Sequence, residues 1–583
     1  MRVLRPFAGY LAVFAILAAP WLARADHAIP INTTYARGDT RLLTWILWWV
    51  SHALVHDPAA LVDAPINYPA PAQLTGSEHF FGLQLVFLPV WLATRNPVLA
   101  LNAVLFLAYP LAALAMNRLL RALGVSRGVA WIGGLAFALG ALQAPAHVHL
   151  LHTLAFFPPA AVLALHRLRE RPDTRRGAAF AAVVVLAFFS AYYTAAILLV
   201  VLLVCGVAEV RRPLPHARRF ATVGGAVVAG ALATLALASR PYLERGAMVA
   251  TSGDALATVR DVSVLSTGYV LLAPAEVFGA AALLLGVAGG VALRDRRLRP
   301  LAVLGLALVA TGAFLLAGGP AALVRLLPHG PLADAVQAPI AFFRIAVRWT
   351  VVSGLGLALL GAAALEAARS RLSPRAGRML LAGVLALVVA DRGRILWRQT
   401  LDVPDALTRD AATYEALAHV VRRDGGGPLL ELPVSSFGRS TQPEAMLGEI
   451  AHGQPLIVGH TGYLPPHRAQ VDATIARLPD ESAVQDLVDM TLLRWVVLRP
   501  DAEWGGRAAR NAFLRALAGV PGVARVADLH GWTVLEIERA PVHGERFAAI
   551  AGGPPPRTAA ATSGPDDRRA AQAPVVRDPA QGT

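Results

Sequence analysis

The chain has 583 residues, 56% hydrophobic and only 16% charged, with a mean hydropathy of +0.53, which excludes an ordinary soluble protein. All 53 basic residues are Arg, so lysine Schiff-base chemistry and a Walker-type phosphate lysine are excluded, and the single Cys205 excludes an internal disulfide or a multi-cysteine metal site. The net charge of +15 belongs to the arginine-rich inner loops of a polytopic membrane protein, not to a nucleic-acid surface.

A helix needs about 20 residues to cross about 30 Å of hydrocarbon, and this sets the reading of the apolar runs. The first run is Phe7 to Leu22, behind Arg2 and Arg5. Ala23-Arg24-Ala25 resembles a signal-peptidase site, but an uncleaved first span is the preferred reading. Either way the N-terminus is expected inside, and a long loop, residues 25–96, outside. That loop concentrates ionisable and aromatic residues, among them Arg37, Asp39, Glu78, His79, Trp45, Trp48 and Trp49. Two short semi-apolar pieces in it, 42–55 and 80–93, are expected to lie at the interface, with a full span for 80–93 as the alternative.

Spans then follow near 98–116, 129–144 and 154–168, with basic turns at Arg118 to Arg127 and Arg167 to Arg176. The run 178–207 has arginine clusters on both sides, so it must cross an even number of times. Two short helices turning at Ser190-Ala-Tyr192-Tyr193-Thr194 satisfy that demand. Further spans near 222–238, up to 291, 301–317, 350–365 and 379–390 bring the expectation to about 11 spans. The C-terminus then lies outside.

From about Asp391 the composition changes. A helix over 408–423, strands at 428–433 and 494–498, and a hairpin turning at His530-Gly531 predict a small α/β extracytoplasmic domain. The expected organisation is a transmembrane domain 1–393, the α/β domain 394–542 and a disordered tail 543–583.

Asp39 is the first candidate. A carboxylate just past the first span serves as a general base for an acceptor hydroxyl, or simply N-caps a helix starting at Thr40 or Arg41. Arg344 and Arg348 stand four apart at an outer helix mouth, where one helical face carries two guanidinium forks suited to phosphate; snorkelling toward headgroups is the bland alternative. Arg240 is a weaker candidate for the same task. His147, His149 and His152 fit neither a helix face nor a metal-ligand spacing and read better as polar lining of an outer cavity. Glu78 and His79 with Asp39 form an oxygen-rich set for a divalent cation, but no Asp-x-Asp pair supports metal dependence, and no cofactor is assigned.

The order of these features resembles the GT-C superfamily of integral-membrane glycosyltransferases, in its uncharacterised bacterial form with a C-terminal extracytoplasmic domain. The likeness rests on a first span and a long outer loop with an early acid, then Asp57-Pro58, Asn67-Tyr68-Pro69 and Asn96-Pro97. It continues through His147 to His152, Ala338 to Trp349, and Glu431-Leu-Pro433 with His452-Gly453. The resemblance implies a bacterial inner-membrane enzyme that moves a sugar from a polyprenyl-phosphate donor to an extracytoplasmic glycan, lipid or protein acceptor. It maps the catalytic acid to Asp39, with Arg344 and Arg348 toward the lipid phosphate; Arg37, beside Asp39, is a further substrate- or phosphate-binding candidate. The chain departs from the best-studied members in lacking a paired-acid motif in that loop. The rivals are a transporter or flippase of lipid-linked or polar solutes, which would carry midplane charges and inverted repeats, and a non-catalytic envelope glycan assembly protein.

Overall fold

The computed structural model describes residues 4–31, 36–141, 154–210, 216–249, 270–271, 274–319, 346–434 and 441–552. The helices that make the apolar layer, in chain order, are α1 (Leu4–Leu17), α3 (Gln84–Thr94), α4 (Pro97–Ala122), α5 (Arg127–Ala141), α6 (Phe157–Glu170), α7 (Thr174–Ser190), α8 (Tyr192–Val210), α9 (Ala217–Val249), α10 (Ala280–Ala288), α11 (Arg299–Leu316), α12 (Thr350–Ser370) and α13 (Pro374–Val388). Among the described residues four helical stretches are long and apolar enough to cross a membrane: Pro97–Ala122, Ala217–Tyr242, Arg299–Leu316 and Ala346–Ser370. The other apolar helices are shorter.

α12 is central. Its glycines and those of α11 allow the two backbones to touch. A Cβ at Gly312 would come within 2.7 Å of the Ser353 nitrogen, and one at Gly305 within 2.9 Å of the Gly356 oxygen. Close approach replaces the hydrophobic drive that lipid cannot supply. The basic turns meet on one side of this layer. Arg297 donates to the Gly124 carbonyl at 3.1 Å, and Glu366 accepts from Ser126 N at 3.0 Å and from Arg369 at 2.7 Å. The run 178–207 is indeed two helices, α7 and α8, broken at Ala191, as the arginine pattern demanded.

The opposite side carries the long loop and the sheet. Asn96 and Pro97 start α4 by capping, with the Asn96 side chain accepting from Leu99 N at 3.0 Å. Buried Asn102 on α4 donates to the carbonyls of Ala25 and Ala28 at 2.7 and 2.8 Å and holds the chain as it leaves α1. The loop then forms β1 (Ile29–Ile31) and α2 (Ala36–His56). This corrects the short interfacial piece expected over 42–55: the helix has 21 residues. Gln84, the first residue of α3, fixes α2 through Ser51 at 2.6 Å and the Leu47 carbonyl at 3.0 Å.

Beyond α13 the chain forms β2 (Thr400–Asp402), α14 (Ala411–Arg423), β3 (Leu429–Leu432), α15 (Gln442–His452), α16 (Arg468–Ile475), α17 (Glu481–Thr491), β4 (Trp495–Leu498), α18 (Arg507–Ala518), β5 (Val523–Leu529), β6 (Trp532–Ile537) and α19 (Gly544–Ala551). The sheet order is β3-β4-β6-β5, with β3 and β4 parallel and the rest antiparallel. His530 and Gly531, at φ 51° and 88°, make the β5–β6 turn, where both central residues need positive φ. β1 pairs antiparallel with β2, and Ile66 forms a parallel bridge to Leu456, which itself bridges Leu429 of β3. Nothing in the local sequence pattern announced this: the first loop supplies an edge to the C-terminal sheet.

Candidate active site

Arg348 is the focus. It sits in a 3-10 turn, Ala346–Trp349, immediately before α12. The α-helical face expected to join it to Arg344 has no geometry here, because Arg348 is not in an α-helix and Arg344 lies outside the described residues. Its guanidinium carbon lies 4.0 Å from the centroid of the Tyr193 ring, which places a cation over a π face.

Two carboxylates feel that charge. Asp39 lies in the first turn of α2, three residues into a helix that starts at Ala36, so it is not the N-cap anticipated from Thr40. Burial raises the Asp39 pKa above the ordinary 3.8, and the positive charge of Arg348 opposes the rise. Glu78 comes from the end of the loop. Burial also raises its pKa, against backbone N–H donors and Arg348. Those donors are Tyr192 N at 2.6 Å and Tyr193 N at 3.3 Å. Glu78 thus seats on the N-terminus of α8, where unpaired N–H groups and the helix dipole favour an anion. The seating holds Tyr193 under Arg348.

His79 is buried among the rings of Phe81, Phe188, Phe189, Tyr192 and Tyr242, at centroid distances of 4.8 to 6.3 Å. Burial lowers its pKa to about 3 and keeps it neutral. It therefore walls the site instead of titrating in it. Tyr242 brings the far part of α9 to this wall, while Arg240 on the same helix is exposed. Arg37 is paired with Asp402 at 3.3 Å. His147, His149 and His152 lie outside the described residues. No group of three or more His, Cys, Asp or Glu side chains suited to a metal occurs among the described residues.

Sequence reasoning missed four residues that shape the site. Tyr193 and Tyr192 were seen only as a turn. Their signal was an aromatic, polar interruption in an apolar run. Arg41 and Trp45 belong to the expected first loop, yet both are tied to the C-terminal segment. Arg41 Nε and Nη2 reach Asp402 at 3.0 and 3.2 Å, and its Nη1 pairs with Glu444. Trp45 Nε1 donates to Glu449 at 2.9 Å. On the membrane side, an apolar cleft opens between α5, α10 and α12, lined by Gly133, Phe137, Phe278, Leu285, Gly354 and Leu357. Gly354 belongs to the start of α12, shortly after Arg348.

The fold of this chain, an apolar helix layer with a sheet-bearing segment on one side, is shared with solved structures of an arabinofuranosyltransferase. Two classes of a mutant of the arabinofuranosyltransferase AftD from Mycobacteria match 93% of this chain at a TM-score of 0.56, with 18% and 16% identity. The chain spans 42% of the AftD length. ArnT from Cupriavidus metallidurans in the apo state aligns over 92% of this chain and 97% of its own, at 15% identity and a TM-score of 0.48. No protein-family model and no curated protein sequence matches the chain.

Proposed function

We propose that the protein is an inverting glycosyltransferase that moves a sugar from a polyprenyl-phosphate donor to an acceptor hydroxyl on the extracytoplasmic side of the bacterial inner membrane. The observation that carries this reading is the convergence of Asp39, Glu78 and the Tyr193-stacked Arg348 on one charge centre, within a fold shared with membrane glycosyltransferases.

Asp39 is the general base. Its carboxylate takes the acceptor proton as the acceptor oxygen attacks the anomeric carbon and the bond from that carbon to the phosphate oxygen breaks. A carboxylate raised above its ordinary pKa is a stronger base than a solvated one. Arg348 faces the departing phosphate and stabilises its charge. The apolar cleft beside α12 suits the prenyl chain. The arginine-rich turns are cytoplasmic by the positive-inside rule, which sets Asp39, Arg348 and the sheet outside. No divalent cation enters this scheme.

The test is mass spectrometry of envelope glycans and lipid-linked sugars in cells with and without the protein, and with Asp39→Asn. The expected result is an accumulated lipid-linked sugar and a missing glycan residue in both the null and the variant. Full glycan in the Asp39→Asn strain would remove the base assignment. Unchanged lipid-linked sugars in the null would favour the assembly protein.

A further inference from the structure

We infer that the C-terminal sheet domain is the positioning element for Asp39, acting through Arg41 and Trp45 of α2; this rests on the reading of Asp39 as the base. At about 100° per residue, positions 37, 38, 41 and 45 of α2 fall on one face, within about 100° of arc. Every one of them meets the segment that follows the helix layer. Arg37 and Arg41 pair with Asp402, at 3.3 and 3.0 Å. Arg41 also pairs with Glu444. A Cβ at Gly38 would stand 3.8 Å from the Pro443 ring. Trp45 donates to Glu449 at 2.9 Å. Asp39 projects from the far side of the helix, about 150° from the middle of that face.

The helix is therefore clamped along one face and presents its acid on the other. The clamp is built to hold position. Arg41 is a planar fork between two carboxylates, and a bidentate guanidinium fixes orientation as well as distance. Asp402 and Glu444 are both buried, and Glu444 is itself held by the backbone N–H groups of Ala406 and Asp405 at 3.0 and 3.3 Å. The same clamp is reinforced from behind by the β1–β2 pairing, with Ile29 opposite Asp402. Arg348, in contrast, belongs to the helix layer through α12 and Tyr193 of α8. Base and guanidinium thus come from different supports, and the docked sheet domain brings them into register.

Two measurements on the full-length protein in nanodiscs test this. Turnover is read by mass spectrometry on the lipid-linked sugar pool extracted from cells lacking the protein. In the first, Arg41→Ala is expected to lower kcat about 10²-fold while the apparent KM for that pool stays within about twofold, because misplacing a reacting group by about 1 Å is worth that much. Arg41→Lys should recover part of the loss. General misfolding would instead lower the recovered protein and leave the kcat of what remains unchanged. An Arg41→Ala protein with normal kcat, alongside an inactive Asp39→Asn, overturns the positioning role and spares the base assignment. An active Asp39→Asn removes the base assignment itself. The second measurement locks the clamp. Gly38→Cys with Pro443→Cys, in a Cys205→Ala background, is oxidised to a disulfide. The locked protein is expected to turn over at the rate of its reduced form. Activity lost on oxidation and regained on reduction would show that the domain must leave α2 during turnover, and would overturn the inference.

Discussion

Asp39 and Glu78 both feel the charge of Arg348 but stand on different supports, and the proposed roles follow that difference. Glu78 spends its oxygens on the Tyr192 and Tyr193 backbone N–H groups, which pin the α7–α8 break and the ring beneath Arg348. Burial raises the Glu78 pKa as it does that of Asp39, but the two N–H donors oppose the rise and occupy its lone pairs. At Asp39 burial raises the pKa and the charge of Arg348 opposes the rise. On the proposed reading Glu78 builds the site and Asp39 works in it.

The sharpest way to break this contrast is the matched pair of isosteric amides. Asp39→Asn is expected to lose transfer by about 10²- to 10⁴-fold, the range of a missing general base, with insertion intact. Glu78→Gln, which keeps one accepting oxygen for the shorter Tyr192 N–H bond and loses the acceptor for Tyr193, is expected to lose about tenfold or less, given that a neutral acceptor replaces a charged one. Equal losses in the glycan assay would erase the distinction. Next in size is Arg348→Ala, expected to cost about 10²- to 10³-fold in turnover, as for other lost transition-state donors. Arg348→Lys should be intermediate, because an ammonium keeps the charge and loses the planar stack on Tyr193.

The pH dependence sharpens the same point. Transfer needs ionised Asp39, so activity falls as pH drops through a pKa above the ordinary 3.8. Removing Arg348 takes away the charge that lowers that pKa, so the acid limb of Arg348→Gln should move to still higher pH. A limb that moves down, or not at all, would separate Arg348 from Asp39.

The smallest effects test the clamp's stability. Burial raises the Glu449 pKa to about 8, against the Trp45 donor. A carboxyl raised on folding contributes stability that is fully present below the ordinary 4.5 and is lost as pH rises through about 8. Glu449→Gln should therefore flatten the fall in melting temperature across that window. Gly448→Ala should cost about 1–3 kcal/mol, because its Cβ would stand 2.0 Å from the buried Tyr414 ring. A Gly448→Ala protein that melts like the parent would show that α14 and α15 can part cheaply.

The local patterns that were legible all follow from short-range physics. Apolar runs and arginine clusters gave the helix layer and even the split of 178–207, because crossing hydrocarbon constrains length and charge residue by residue. Asn96-Pro97 and His530-Gly531 are likewise readable, since caps and tight turns are set by the dihedral and hydrogen-bonding habits of neighbouring residues. Asp39 could be nominated as an acid in the first loop, but neither its place in the helix nor its neighbours could be read.

What the sequence by itself determined is thus a helical membrane layer, a loop rich in acids and tryptophans, and a sheet-bearing segment after it. Only the tertiary structure decided that Ile29 pairs with Asp402, that Ile66 bridges to Leu456, and that Arg41 is gripped by Asp402 and Glu444. These partners lie hundreds of residues apart in the chain, and no periodicity encodes a contact of that span. Charge on Arg41 is visible in one letter; whether it meets water, a headgroup or two buried carboxylates depends on what the rest of the chain packs against it.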